Sequence, residues 1–457
     1  PLGRMNPGKV VDPPAMTSDL RLGTAFAPPR LRTNFGFAND DEDFIRATLR
    51  CVGVGECRKT DHGVMCPSYM VTREEKHSTR GRARLLFEMI EGRTLRDGWR
   101  DESVKEALDL CLACKGCKRD CPVSVDMATY KAEFLSHYYT RRLRPRAAYA
   151  IGQIMYAARV AAKAPSLVNA ATHLPGISRL MKRAAGIAPE RDVPRFAPRR
   201  FTDWFAARPL RSSAPNGDVL LWPDTFTNSF APEIGIATVA LLERAGYRVR
   251  LPQSTLCCGR PLYDYGFLHE AKWFLRRIVA SLTEEIRAGT NIVGMEPSCV
   301  AVFRDELGNM FPYDRDAQRL REQVFMLGEF LARRPDDAIP HVAGRALVQP
   351  HCHHHAVLDF TADVDVMRKA GLDVEVLDSG CCGMAGSFGF EAQHYDVSMA
   401  CGERVLLPAV RAAADDTIIV ADGFSCREQI RQGAGREALH LAQVLARGLD
   451  TTTKDWP

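Results

Sequence analysis

Four cysteines fall in one run, Cys111-x2-Cys114-x2-Cys117-x3-Cys121, and Pro122 follows the last of them. Three thiolates two residues apart wrap one corner of a cubane iron–sulfur cluster. The fourth, followed by proline, leaves that turn and ligates a different cluster where two are present. Zinc sites use two separated ligand pairs rather than four cysteines in one run. The spacing therefore predicts a 4Fe-4S cluster and sends the search to a second set of cysteines.

That set is less regular: Cys51-x5-Cys57-x8-Cys66-Pro67. Val54 stands where a further cysteine would complete the pattern. With ligand exchange, Cys66 completes the cluster of Cys111, Cys114 and Cys117, and Cys121 joins Cys51 and Cys57. One iron corner of the second cluster then lacks a protein thiolate. Three outcomes stay open: a 3Fe-4S cluster, a four-iron cluster with His62 as the remaining ligand, or a labile cluster. Downstream, Arg80, Arg82 and Arg84 follow a candidate helix cap at Ser78 or Thr79. They read either as cations offsetting thiolate charge near the cluster or as a solvated helix face.

The chain has 457 residues, 46% hydrophobic and 26% charged, enough for real cores in about three domains. A formal net charge of +5 is too mild to argue for a nucleic-acid partner. No uncharged stretch reaches the ~18 residues of a membrane span, and no signal peptide opens the chain. With no sign of export, disulfides are the less expected use of fifteen cysteines. The expected location is cytoplasmic, with peripheral contact to the cytoplasmic membrane as an option for the basic stretch from Arg141 to Arg200; the alternative for that stretch is packing against other domains. The first residue is Pro1 rather than Met, as expected of a piece of a longer polypeptide.

The fold class expected is α plus α/β: an all-helical two-motif ferredoxin domain, then a pseudo-duplicated α/β domain. The boundaries read as 1–41 linker, 42–140 helical cluster domain, 141–215 basic helical connector, 216–340 first α/β repeat and 341–449 second. Strands are expected at 219–222, 247–251, 292–295, 346–349, 374–377 and 417–421, alternating with helices, as in parallel sheets. Four landmarks recur in order. The first copy carries Leu221-Trp-Pro223, Ala245-Gly-Tyr247, Cys257-Cys258-Gly259 and Pro297-Ser-Cys299. The second carries Val348-Gln-Pro350, Ala370-Gly-Leu372, Cys381-Cys382-Gly383 and Phe424-Ser-Cys426. Cys352, Cys381, Cys382 and Cys426 each fall at or just past a strand's carboxyl end, where sites assemble in parallel sheets. They read as a cluster site. Cys257, Cys258 and Cys299 read as a degenerate or differently loaded one, with Thr225 or a neighbour in place of the leading cysteine. Most of His351, His353, His354 and His355 are expected as exposed loop histidines, and Cys401 as a core cysteine.

The paired Cys-Cys-Gly motifs resemble those of heterodisulfide reductase and of the iron–sulfur subunits of glycolate, glycerol-3-phosphate and lactate oxidation systems. The segments 51–58, 65–69, 75–82 and 422–427 are similar to the C-terminal half of fused flavin/iron–sulfur proteins that oxidise D-2-hydroxy acids, D-2-hydroxyglutarate and D-lactate among them. Residues 3–11 resemble the end of their flavin domain. The Val54 substitution is also similar to that at a three-iron site in the succinate dehydrogenase iron–sulfur subunit. The resemblance implies an electron-transfer module serving an FAD-linked oxidase domain or subunit upstream, with a quinone or redox protein as acceptor. A thiol–disulfide reductase and a zinc-binding scaffold are the rival readings.

Overall fold

The computed structural model describes residues 30–209 and 214–449, with scattered positions between 8 and 26. Most of the flavin-domain-like opening, 3–11, lies outside the described residues. Pro1–Arg32 and Thr33–Pro457 are two compact units. In the smaller one a turn closes from Ser18 N–H to the Ala15 carbonyl.

The larger unit begins helical. Its helices start where short polar side chains satisfy the first free amides. Asp43 caps Phe44–Leu49, Ser78 caps Thr79–Glu91, Asp101 caps Glu102–Asp109 and Asp126 caps Met127–Tyr138. Gly92, at φ +71°, ends the second of these in the left-handed conformation that glycine tolerates. Phe37, Phe44 and Tyr130 pack their rings edge to face or tilted at 5.4–6.2 Å and close this region's core. Four short helices follow, Arg146–Ala150, Ile154–Ala161, Pro165–His173 and Ile177–Ala185. Pro165 sits in a helix's first turn, where its missing N–H costs nothing.

Beyond residue 217 the chain forms two small parallel sheets. The first contains β1 (Asp218–Trp222), β2 (Arg248–Arg250), β3 (Ile292–Gly294) and β4 (Val324–Met326), in the order β2-β1-β3-β4. The second contains β5 (Gly344–Val348), β6 (Leu372–Val376) and β7 (Ile418–Val420), in the order β6-β5-β7. Register pairs Trp222 with Gly294 in the first and Val348 with both Val376 and Val420 in the second. In each sheet the chain leaves the central strand to one side and returns on the other. The crevice opened by that reversal lies at the strands' carboxyl ends. One apolar core joins the sheets, running from Val219, Leu221 and Val249 through Phe330 to Val348, Val366 and Leu445. The sequence reading has no counterpart for β4. It is three apolar residues between the helices Arg315–Gln323 and Leu327–Leu331, and so short a run carries no strand period.

Candidate metal centres

Cys111, Cys114 and Cys117 are buried in the turn around the short helix Gly116–Asp120. A Cβ on Gly116 would lie 2.5 Å from Val64 Cγ1, so the turn closes only with glycine there. Cys66 lies close enough to affect the ionisation of Cys114 and Cys117, and Cys117 feels Cys111 in the same way. Burial pushes both Cys114 and Cys117 well above the usual thiol range, followed by the neighbouring Cys352 at the first and Asp126 at the second. Four crowded thiols out of water cannot ionise together on their own; a bound cation or cluster core is what lets them shed protons. Backbone amides of Gly116 and Met127 point at the Cys114 and Cys117 sulfurs. That is the donor arrangement that stabilises thiolate ligands of an iron–sulfur cluster.

Arg82 is the largest feature the sequence left undecided. It is fully buried, with Nη1 3.3 Å from Cys66 Sγ, Nη2 2.9 Å from Ser68 Oγ and Nε 2.7 Å from the Ala107 carbonyl. The three arginines split three ways. Arg82 faces a thiol, Arg80 lends its backbone N–H to Cys57 Sγ at 3.3 Å, and Arg84 is an exposed partner of Glu88.

The second set of cysteines is more open. Cys57 is buried, and burial followed by Cys66 and Cys51 raises its pKa. Cys51 and Cys121 are half-buried, and Val54 is exposed. His62 is exposed and pairs with the Asp61 carboxylate at 2.8 Å, so its described contact is not with a thiol. Cys51 and Cys66 both lie close enough to act on the ionisation of Cys57.

In the second sheet, the carboxyl ends of β5, β6 and β7 deliver Cys352, Cys381–Cys382 and Cys426 to one buried place. Hydrogen bonding links Cys381 to Cys352 and Cys382, and Cys382 to Cys426. Through it Cys382 is held well below the usual thiol range, while Cys381 and Cys426 are pushed well above it. Cys426 lies in the first turn of Phe424–Ala434, whose positive end favours a thiolate. Gly383, at φ +87°, would place a Cβ 2.1 Å from the Ser398 carbonyl oxygen, so only glycine lets the helix bearing Ser398 close on the site.

The histidine expectation is corrected. His351, His353 and His354 are buried, because Cys352–Val357 is a helix packed under the helical region rather than a loop. His353 Nε2 lies 2.9 Å from the Ala113 carbonyl oxygen, and His355 reaches Asp120 at 3.1 Å. Burial lowers His351 to about 4 and holds His353 well below the usual imidazole range. Ligand atoms of His351, Cys352 and His353 lie within 4.8 Å of one another. A run of four histidines looks solvated by composition; only the packing of Cys352–Val357 against Gly116–Asp120 reveals otherwise.

The first sheet gathers Cys257, Cys258 and Cys299 in the same way, with Cys258 Sγ 2.9 Å from Cys299 Sγ. Thr225 Oγ1 lies 3.4 Å from Cys257 Sγ, so a hydroxyl fills the place of the leading thiol. Two carboxylates crowd the site. Burial and the nearby Glu296 raise Asp224 to about 6, and both affect Cys299. Cys401 is buried with its sulfur 3.7 Å from the Pro67 carbonyl, within the same packed group as Cys114, Cys352 and Cys381.

Comparison with known proteins agrees with this layout. A 4Fe-4S dicluster domain model matches residues 47–125, and a cysteine-rich domain model matches twice, at 224–304 and 350–431. The chain thus joins a region matching a 4Fe-4S dicluster domain to two regions matching a cysteine-rich domain. Among curated relatives it is similar to D-2-hydroxyglutarate dehydrogenase of Pseudomonas putida, at 27% identity over 97% of this chain and 47% of the relative. It is also similar to one of the subunits of anaerobic glycerol-3-phosphate dehydrogenase of Escherichia coli, at 26% identity over 62% of this chain and 72% of that one. Lactate utilization protein A of Bacillus licheniformis aligns at 29% identity over 50% of this chain and 98% of its own length. The chain spans about half the length of the D-2-hydroxyglutarate dehydrogenases it matches.

Proposed function

We propose that this chain is the electron-transfer module of a flavin-dependent D-2-hydroxy-acid dehydrogenase of the D-2-hydroxyglutarate or D-lactate type. It would relay electrons singly from FAD, held in an upstream domain or subunit, to a quinone or redox-protein acceptor. In this reading Cys66, Cys111, Cys114 and Cys117 hold one 4Fe-4S cluster. Cys51, Cys57 and Cys121 hold a second of incomplete thiolate count, and Cys352, Cys381, Cys382 and Cys426 hold a third metal centre. The two α/β segments would be one duplicated unit, of which the first has lost its four-thiolate set. Such clusters supply one-electron chemistry; the protein supplies ligation, burial and charge.

One observation carries the reading. Cys114 of the helical region and Cys352 and Cys381 of the second sheet pack in a single buried group with Val64, Leu112 and Phe388. Two cysteine sets from distant parts of the sequence thus share a wall, as a relay requires. The same burial, 2% exposure at Cys381 and 3% at Cys382, argues against a disulfide substrate reaching those sulfurs and so against the reductase reading. Iron and sulfide quantitation with EPR on anaerobically prepared protein tests the proposal. Stoichiometric iron and sulfide with reducible signals is expected, while zinc without sulfide would overturn it in favour of the scaffold reading.

A further inference from the structure

A cavity of about 610 Å³ lies between the connector helices and the two Cys-Cys-Gly sites. Its floor is aromatic. Phe226 and Phe424 stack with centroids 4.8 Å apart, Phe230 lies 5.6 Å from Phe424, and Phe196 lies 4.5 Å from Phe230. These rings come from both halves. Phe226 follows Thr225, which touches Cys257, and Phe424 stands two residues before Cys426. The opposite wall is Ile154, Ala157 and their neighbours on Ile154–Ala161 and Ile177–Ala185. None of this is used by the cysteines themselves.

We propose that this cavity binds the ring and first isoprene units of a lipid-soluble quinone, which makes it the acceptor site of the relay proposed above and rests on that reading. The volume falls in the range of small-molecule sites, about 300–1,000 Å³. An aromatic floor suits a flat ring, and an apolar wall suits an isoprenoid tail. Phosphate-bearing redox carriers are poorly matched, since among the described residues Lys182 is the one cationic side chain lining the cavity. The helices that roof it expose Val160 (69%), Leu167 (71%) and Leu180 (70%) beside the exposed Arg179 and Arg183. That mixture of apolar and cationic side chains complements the interface of an anionic lipid layer, where such a quinone is dissolved. Reduction of the quinone to the quinol takes two electrons, supplied by the hydroxy-acid dehydrogenase, and two protons, supplied by solvent water.

The test is photolabelling of the oxidised, iron-loaded chain with an azido-naphthoquinone carrying two isoprene units, followed by peptide mapping. Label is expected on peptides within 150–196 and 424–431, displaced by unlabelled short-chain quinone and not by palmitate. Ala157→Trp, at an exposed helix position, fills the cavity and is expected to weaken labelling about tenfold or more with iron content and far-UV dichroism unchanged. Should that variant fold poorly, Phe230→Leu removes a ring from the floor and is expected to weaken labelling in the same direction. Scattered label, equal displacement by palmitate, or full labelling of a folded Ala157→Trp or Phe230→Leu protein would overturn the inference. Binding is read without any electron donor, so its failure is distinct from failure of the relay, which would show as missing iron and sulfide.

Discussion

The two α/β halves share a three-strand order about a central strand, to which the first adds β4, and differ in how they meet the helical region. The first half meets it through charge. Lys115, 1% exposed, places Nζ 2.7 Å from Asp305, 3.2 Å from Asp126 and 3.3 Å from Glu306, and Glu306 also holds Arg260 at 2.6 Å. The second half meets it through sulfur, histidine and apolar contact: Cys114 against Cys352 and Cys381, His353 on the Ala113 carbonyl, and His394 on Asp109 at 3.2 Å. The half with four thiols thus meets the turn of Cys111, Cys114 and Cys117 through sulfur, and the half with three meets it through the ionic lock on Lys115. Both halves reach the same turn, and the chemistry of the contact is what differs.

The largest expected effect breaks the comparison at the sulfurs. Cys382→Ser should abolish the second half's EPR signal and lower iron per chain, while Cys258→Ser leaves both unchanged; equal losses from the two would erase the distinction. The converse variant, Thr225→Cys, should raise iron content by completing four thiols in the first half. Next is the lock. Lys115→Met removes the buried cation shared by three carboxylates, leaving Asp126 and Asp305 to the half-exposed Lys118 and Glu306 to Arg260, and should cost up to about 3–5 kcal/mol in denaturant unfolding. A cost under ~1 kcal/mol would mean the lock does not fasten the first half.

A pH series sharpens the picture of the first half. Asp224 is raised to about 6 by burial and by Glu296, against an ordinary value of 3.8. A carboxyl raised on folding favours its protonated form in the fold. Its contribution is therefore complete below the unfolded value and is lost as pH rises through about 6. Stability should fall between about pH 4 and 6 by up to ~1.4 kcal/mol per unit, and Asp224→Asn should flatten that slope. The smallest effect concerns Arg82. Arg82→Gln removes a cation 3.3 Å from Cys66 Sγ and disfavours added negative charge. Redox titration should find the Cys66-linked cluster at lower potential, by roughly 59 mV for each ~1.4 kcal/mol of lost interaction, with the second half's signal unmoved.

Much of this was legible in the sequence because cysteine spacing and strand–helix alternation decide which thiols are brought together. The meeting of Cys66 with the run from Cys111, and the three strand ends that deliver Cys352, Cys381–Cys382 and Cys426, all follow from spacing and strand–helix alternation. What escaped depends on contacts between distant segments. Arg82 and Arg84 are indistinguishable on a helical pattern until packing buries one and leaves the other in water. His353 is buried by a turn some 240 residues earlier in the chain. Lys115 stands between two candidate ligands, a hint that it cannot be solvated, yet its partners Asp305 and Glu306 carry no local signal. The aromatic floor is assembled from residues 196, 226, 230 and 424, each unremarkable where it stands.

Glu296, at the end of β3, reaches beyond its own sheet. One of its oxygens accepts from the Ser298 hydroxyl and the other from the Phe424 backbone N–H at 2.8 Å, at the start of the helix that carries Cys426. The sulfur-poor half therefore grips the very turn that presents a thiol in its sibling. Damage there would be read out remotely, as a defect in a group of thiols to which Glu296 adds no sulfur of its own.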